Sequence, residues 1–305
     1  MKLADFSYYP LLAAVKILGL LPFALRSRFG ELLGHCFALV PTHERRIAQL
    51  QIDRFIVRRG DRSHTSDSLV TRCYGQLGAT ILESMNLTPI LESGAASIDF
   101  SDWELARGML DDGRGIVALT AHTGNWDLLA AYMVANRIPI SAVGREARNP
   151  TLQRLLRDLR GRYQIETIWR ADRAGIRAIV ERLAVGQVVA ALIDQDTRVT
   201  SQIVPFFGVA ARTPSSLVEL ALRHNAHLVS AFIVRTSPGR FKIIVEPLTN
   251  RENTNTVLRE YNLRLERVIK EYPAQWVWMH KRWRTDDSGR RRSSKEYLGW
   301  LREAA

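Results

Sequence analysis

The sequence predicts an α/β domain with a mixed central sheet flanked by helices, preceded by a helical apolar segment at the N-terminus. From Phe100 onward, short β-prone apolar runs alternate with amphipathic stretches, the texture of an α/β core. Before that point, apolar residues recur at helical spacing, around Leu11 to Val40 and again from Leu69 to Leu91. A chain of 305 residues with 46% hydrophobic and 24% charged side chains can bury a full core, as one large domain or two small ones, so disorder is not expected.

At the N-terminus, Lys2 precedes an apolar stretch from Tyr8 to Leu25 that contains Lys16 and Pro22 and ends on Arg26 and Arg28. A spanning helix needs about 20 apolar residues, and this stretch falls short. It has no small-residue cleavage site of the secretory kind. Two roles fit: an interfacial or re-entrant membrane segment, or a core helix covering the main domain. We divide the chain into residues 1–40, a membrane-associating helical segment, and 41–305, the α/β domain. Within the helical region Arg58 to Ser68 (RRGDRSHTSDS) reads as a polar connector.

Strands are expected at Gly115 to Thr120, Ile140 to Val143, Val188 to Ile193, His227 to Val234 and Phe241 to Val245. Helices are expected between them, at Trp126 to Asn136, Pro150 to Tyr163, Ala174 to Ala184 and Pro214 to Asn225, with a long final one from Thr256 to Glu271. Gly186 is a stop signal before the third strand. The sequence contains no internal repeat and no low-complexity segment.

The balance of 43 Lys and Arg against 31 Asp and Glu gives a formal charge of +12, which suits phospholipid surfaces, acidic proteins or nucleic acid. No RNP, KH or zinc-finger signature supports nucleic acid. Cys36 and Cys73 are too few for a disulfide framework and lack zinc-ligand spacing, which favours a cytosol-facing location. A serine hydrolase is disfavoured because no GxSxG elbow is present.

The segment Thr120-Ala-His-Thr-Gly-Asn-Trp-Asp127 sits where a strand gives way to a helix, the carboxyl edge at which α/β sheets bind ligands. Five helical positions turn through about 500°, so His122 and Asp127 share no face if both are helical. They meet if His122 lies in the turn and Asp127 in the first helical turn. Asp127 would then fix the imidazole tautomer while the other ring nitrogen takes a proton from a hydroxyl. The plainer alternative is that Asp127 complements the helix dipole and His122 is an ordinary turn residue.

Several blocks in order resemble the late lipid A acyltransferases (lauroyl and myristoyl transferases) of the larger HX4D/E glycerolipid acyltransferase group. His122 to Asp127 resembles the HX4D/E motif in its GNWD form, and Gly144-Arg145 with Asn149-Pro150 resembles the second block. Leu192-Ile-Asp194-Gln195-Asp196, followed by Val204-Pro-Phe-Phe-Gly208 and Thr213, is similar to the third. Gln275-Trp276-Val277-Trp278-Met279-His280-Lys281-Arg282-Trp283 is similar to the closing segment, so the resemblance covers about residues 1 to 285.

The resemblance implies acyl transfer from a thioester to a hydroxyl of a lipid A precursor or related glycolipid, with His122 and Asp127 catalytic. Acyltransferases acting on phosphatidylinositol mannosides share the HX4D core. Acyl carrier protein is the implied donor carrier, with acyl-CoA the alternative, and the implied location is the cytoplasmic face of the cell inner membrane. Neither a bound cofactor nor a catalytic metal is required.

Substrate-binding candidates are Arg145, Asn149, Asp194, Asp196 and Asn125. Arg145 and Arg148 suit phosphate, which a guanidinium grips bidentately, and backbone N–H groups of Thr123 to Asn125 are candidate oxyanion donors. Asp194 and Asp196 would bind sugar hydroxyls or pair with an Arg. As a DxD after an apolar strand, they also fit a metal-dependent glycosyltransferase, although no nucleotide-binding glycine fingerprint accompanies them. A peripheral membrane-binding protein without catalysis is the third class. Val204 to Gly208 reads as an apolar turn under the core or an acyl-chain contact. Arg154, Arg157, Arg160 and Arg162, and the basic Trp276/Trp278/Trp283 segment, suit an anionic membrane interface. For the basic helix the alternative is a solvated face, and for the tryptophans it is core packing.

Overall fold

A computed structural model describes residues 3–57, 65–169 and 173–303, so most of the expected polar connector lies outside the described residues. The first third is helical: α1 (Leu3–Gly19), α2 (Phe23–Ala38), α3 (His43–Phe55), α4 (Ser66–Glu83) and the short α5 (Thr88–Leu91). Thr42 and Thr65 cap α3 and α4, each side chain accepting from a backbone N–H three residues on.

The α/β part follows as β1 (Ser97–Asp99), α6 (Trp103–Asp111), β2 (Ile116–Thr120), α7 (Trp126–Ala135), β3 (Ile140–Gly144), α8 (Pro150–Arg162), β4 (Glu166–Trp169), α9 (Arg173–Ala184) and β5 (Val188–Leu192). After these come the hairpin β6 (Ser201–Phe206) and β7 (Val209–Pro214), then α10 (Ser216–Arg223), β8 (His227–Ser237), β9 (Arg240–Pro247), α11 (Thr254–Glu271) and α12 (Ser294–Glu303).

The main sheet has the order β1-β9-β8-β2-β5-β3-β4, parallel throughout except for the antiparallel β8–β9 pair. It is the mixed sheet expected. The central strand β2 is buried along its whole length, and its side chains alternate between two cores. Val117 and Leu119 join the core shared with α3, α4, α10 and α11, while Ile116 and Ala118 join the one covered by α7.

All five expected strands form, though β8 runs on to Ser237. The hairpin β6–β7 is an addition. Val204 and Phe206, expected in a turn, are buried strand residues, and only Phe207 and Gly208 make the turn, both with positive φ (50° and 73°).

The N-terminal helices are seated on this body. Tyr8 of α1 donates a hydrogen bond to Asp158 of α8. α2 crosses α4 at backbone contact, where a Cβ at Gly34 would stand 2.1 Å from the Tyr74 carbonyl oxygen. α1, α2 and the residues just after each leave Ile17, Leu20, Leu25, Leu32, Phe37 and Leu39 exposed. No helix among the described residues is long and apolar enough to cross a membrane.

Candidate active site

β2 and β5 are parallel neighbours with Thr120 opposite Leu192, so both chains leave the sheet at the same edge. Two residues past each strand, His122 and Asp194 meet. The His122 backbone N–H donates to Asp194 Oδ2 (3.0 Å), and the ring Nδ1 lies 2.8 Å from Oδ1. Trp276 Nε1 donates to Oδ2 from the other side at 2.8 Å, and the Asp194 side chain is completely buried.

Burial pushes the Asp194 carboxyl upward, but its interaction with the His122 and His280 imidazoles and the hydrogen bonds from His122 hold it well below the usual carboxylate range. An ionised Asp194 requires the proton of His122 on Nδ1, which leaves Nε2 as a lone-pair acceptor. His280 lies beneath this pair. Its Nε2 donates to the Asp194 carbonyl oxygen at 3.1 Å, and burial pushes it down to about 4, so it stays neutral.

The loop that carries His122 is held from behind. Gly124 has φ +51°, and a Cβ there would stand 2.4 Å from the Ile233 carbonyl oxygen, so only glycine fits. Val277 N–H donates to the His122 carbonyl (3.2 Å), and Thr80 Oγ1 donates to that of Gly124 (2.8 Å). Asn125 caps α7 through Leu128 N–H (3.0 Å), while its own Nδ2 donates to Glu83 Oε2 (3.1 Å). Glu83, fully buried, also accepts from Arg235 (2.8 Å) and from Ser27 of α2 (2.6 Å).

The expected pairing of His122 with Asp127 is not the one that forms. Because α7 begins at Trp126, it is the Trp126 ring that packs edge-on against the imidazole, with centroids 5.0 Å apart. Asp127 turns toward α8 and accepts from Arg160 Nε at 3.0 Å.

Asp194 and Asn125, expected to contact substrate, are fully buried with their polar atoms engaged inside the protein. Asp196 is also covered, its Oδ2 accepting from the N–H and hydroxyl of Thr285 (2.8 and 2.7 Å). Arg145 is exposed just beyond β3, and Asn149, also exposed, caps α8 through Thr151 and Leu152 N–H (2.9 and 3.2 Å). Two of the expected oxyanion donors are already engaged: Thr123 N–H donates to Ala121 O and Gly124 N–H to Gln275 O. Trp276, Trp278 and Trp283 are completely buried, so they form core and not a membrane-facing surface.

An apolar cavity of about 90 Å³ opens on the far side of Trp126 from His122. Its walls come from α6, α7 and one face of the sheet, including Met109, Ala118, Met133 and Ala190. Thr120, Trp126, Asp127 and Arg160 are its polar or amphipathic lining. Glu83, Arg235 and the support role of Trp276 and His280 were not legible beforehand. The only sequence signals were an acid at the end of an apolar helical stretch and the closing Trp-rich block.

Residues 3–285 match the family described as bacterial lipid A biosynthesis acyltransferase. The chain belongs to this family. It is an acyltransferase, and its curated relatives carry the same activity in their names. A phosphatidylinositol mannoside acyltransferase of Mycolicibacterium smegmatis is 25% identical over 210 residues, 67% of this chain and 69% of the relative. One of Mycobacterium tuberculosis is 23% identical over 206 residues, 67% of this chain and 64% of that protein. Among solved structures, the 1-acyl-sn-glycerophosphate (LPA) acyltransferase PlsC of Thermotoga maritima aligns over 86% of this chain and 99% of its own, at 17% identity and a TM-score of 0.36. Family membership replaces the glycosyltransferase and non-catalytic readings.

Proposed function

We propose that this acyltransferase moves a fatty acyl group from a thioester to a hydroxyl of a glycolipid at the membrane surface, with His122 as general base and Asp194 orienting it. The observation that carries the reading is the 2.8 Å contact between His122 Nδ1 and a buried Asp194, with an apolar cavity across Trp126. His122 Nε2 takes the proton of the acceptor hydroxyl as its oxygen attacks the thioester carbonyl. The tetrahedral intermediate then expels the thiolate, which recovers the proton from the imidazolium. The N–H groups of Trp126 and Asp127, in the first turn of α7, supply the oxyanion donors. The acyl chain occupies the apolar cavity.

Acyl carrier protein is the donor that a chain of charge +12 suits, since its partner is acidic. For the acceptor, the family description concerns lipid A biosynthesis and the mycobacterial relatives are phosphatidylinositol mannoside acyltransferases. A glycolipid is common to both, and we favour a lipid A precursor at the cytoplasmic face of the inner membrane. The exposed apolar residues of α1 and α2, with exposed Arg157 and Arg162 of α8, support residues 1–40 as a membrane-contacting segment.

The test is mass spectrometry of glycolipids from cells lacking the protein, complemented with wild type or His122→Ala. We expect one acyl chain to be missing without the protein, restored by wild type and not by the variant. Restoration by His122→Ala would contradict the assignment.

A further inference from the structure

We infer that the arginines around the loop after Asp194 form a phosphate-binding site for one of the two substrates. The inference rests on the acyl-transfer reading and extends it to substrate recognition. The loop of residues 195–199 carries Gln195, whose amide stands 3.4 Å from His122 Nδ1, so the loop borders the catalytic histidine.

Arg212, Arg198 and Arg291 are held at this loop, and Arg284 stands on the neighbouring hairpin, its Nε donating to the Arg292 carbonyl at 2.8 Å. Arg212 of β7 donates to the Val199 carbonyl at 2.9 Å, and Arg198 projects from the loop itself, exposed. Arg284 and Arg291 are brought together by a tight hairpin closed by the bridge between Thr285 and Arg291. Asp286 caps its turn, accepting from Arg290 N–H at 2.9 Å. Arg291 lies 3.8 Å from the Asp196 carboxylate, and its buried Nε has no acceptor.

Among the described residues, Asp196 is the only carboxylate paired with any of these four arginines. Burial lowers the Arg291 guanidinium, Asp196 partly restores it, and the charges of Arg284, Arg198 and Arg212 push it down further. Gathering like charges around one loop with a single carboxylate between them is unfavourable unless an anion binds among them. Planar guanidinium forks match phosphate oxygens bidentately, and a phosphate ester is the anion that both substrate classes carry. It would come from the headgroup of the acceptor glycolipid or from the phosphopantetheine arm of the donor.

The test titrates inorganic phosphate into the full chain without acyl donor, against chloride at matched ionic strength. Wild type is expected to bind phosphate saturably, with Arg198→Gln and Arg291→Gln each weakening it about tenfold. Arg198 is exposed, so its variant carries the test if Arg291→Gln fails to fold. In turnover, a raised KM for a phosphorylated acceptor alone identifies the headgroup as the source. A raised KM for the acyl carrier thioester alone identifies the phosphopantetheine arm. Phosphate binding no stronger than chloride, or equal in wild type and both variants, would overturn the inference. Because binding is read without turnover, this result is independent of whether the acyl-transfer reading stands.

Discussion

The expected and the observed carboxylate partners of His122 occupy opposite kinds of surroundings. Asp194 is sealed behind His122, its oxygens engaged by the His122 backbone and ring and by the Trp276 indole. Asp127 stands at the lining of an apolar cavity, about a fifth exposed, with Arg160 as its partner. A base needs a partner that cannot wander, and the dry wall behind His122 provides one through packing and saturated hydrogen bonding. The cavity side instead offers apolar room, suited to a flexible chain.

The largest effect should come from breaking the back wall. Asp194→Asn places an amide against the Nδ1 proton and favours the wrong tautomer, so kcat should fall by about 10³ to 10⁴ in a thioester-dependent assay. Asp127→Asn loses only a partly exposed ion pair, worth less than about 1 kcal/mol, and should keep activity within about tenfold.

Next is Glu83. Glu83→Ala leaves Arg235 buried without its counter-charge and should cost about 3 to 5 kcal/mol of stability by denaturant unfolding. The double change Glu83→Leu with Arg235→Met should cost less than Glu83→Ala alone, because no charge is stranded.

His280 sharpens the comparison through pH. The folded chain keeps it neutral until about pH 4, whereas the unfolded chain protonates it near its ordinary 6.5. Between those values the unfolded state binds more protons, so stability falls as pH falls, by on the order of 3 kcal/mol from this group. His280→Asn should flatten unfolding stability over that window.

The smallest effect lies on the cavity side. Ala190→Leu narrows the apolar cavity and should shift the preferred acyl chain shorter, lowering kcat/KM for the longest chain by about tenfold while sparing the base. An unchanged chain preference would place the acyl chain elsewhere.

These contrasts also show what the sequence made legible. The buried strand GIVALT and the turn after it were plain, because an uninterrupted apolar run ending in a Gly-Asn cap leaves few alternatives. Strands β1 and β4 were not, being edge strands of three and four residues with little pattern to detect. The partner of His122 was misplaced because spacing favours the nearby Asp127. Asp194 lies 72 residues away, and the pairing becomes visible only when Thr120 and Leu192 are known to be opposite one another on adjacent strands. The closing Trp-rich block was recognisable as a motif, yet its role as a wall around Asp194 depends on tertiary contact. Glu83 and Arg235, on α4 and β8, carry no local pattern linking them.

The most direct test of the central claim is ¹⁵N and ¹H NMR of the His122 ring in wild type and the two carboxylate variants. A strongly hydrogen-bonded Nδ1 proton should be present in wild type, persist in Asp127→Asn and vanish in Asp194→Asn. Loss of that proton in Asp127→Asn, with retention in Asp194→Asn, would contradict the account.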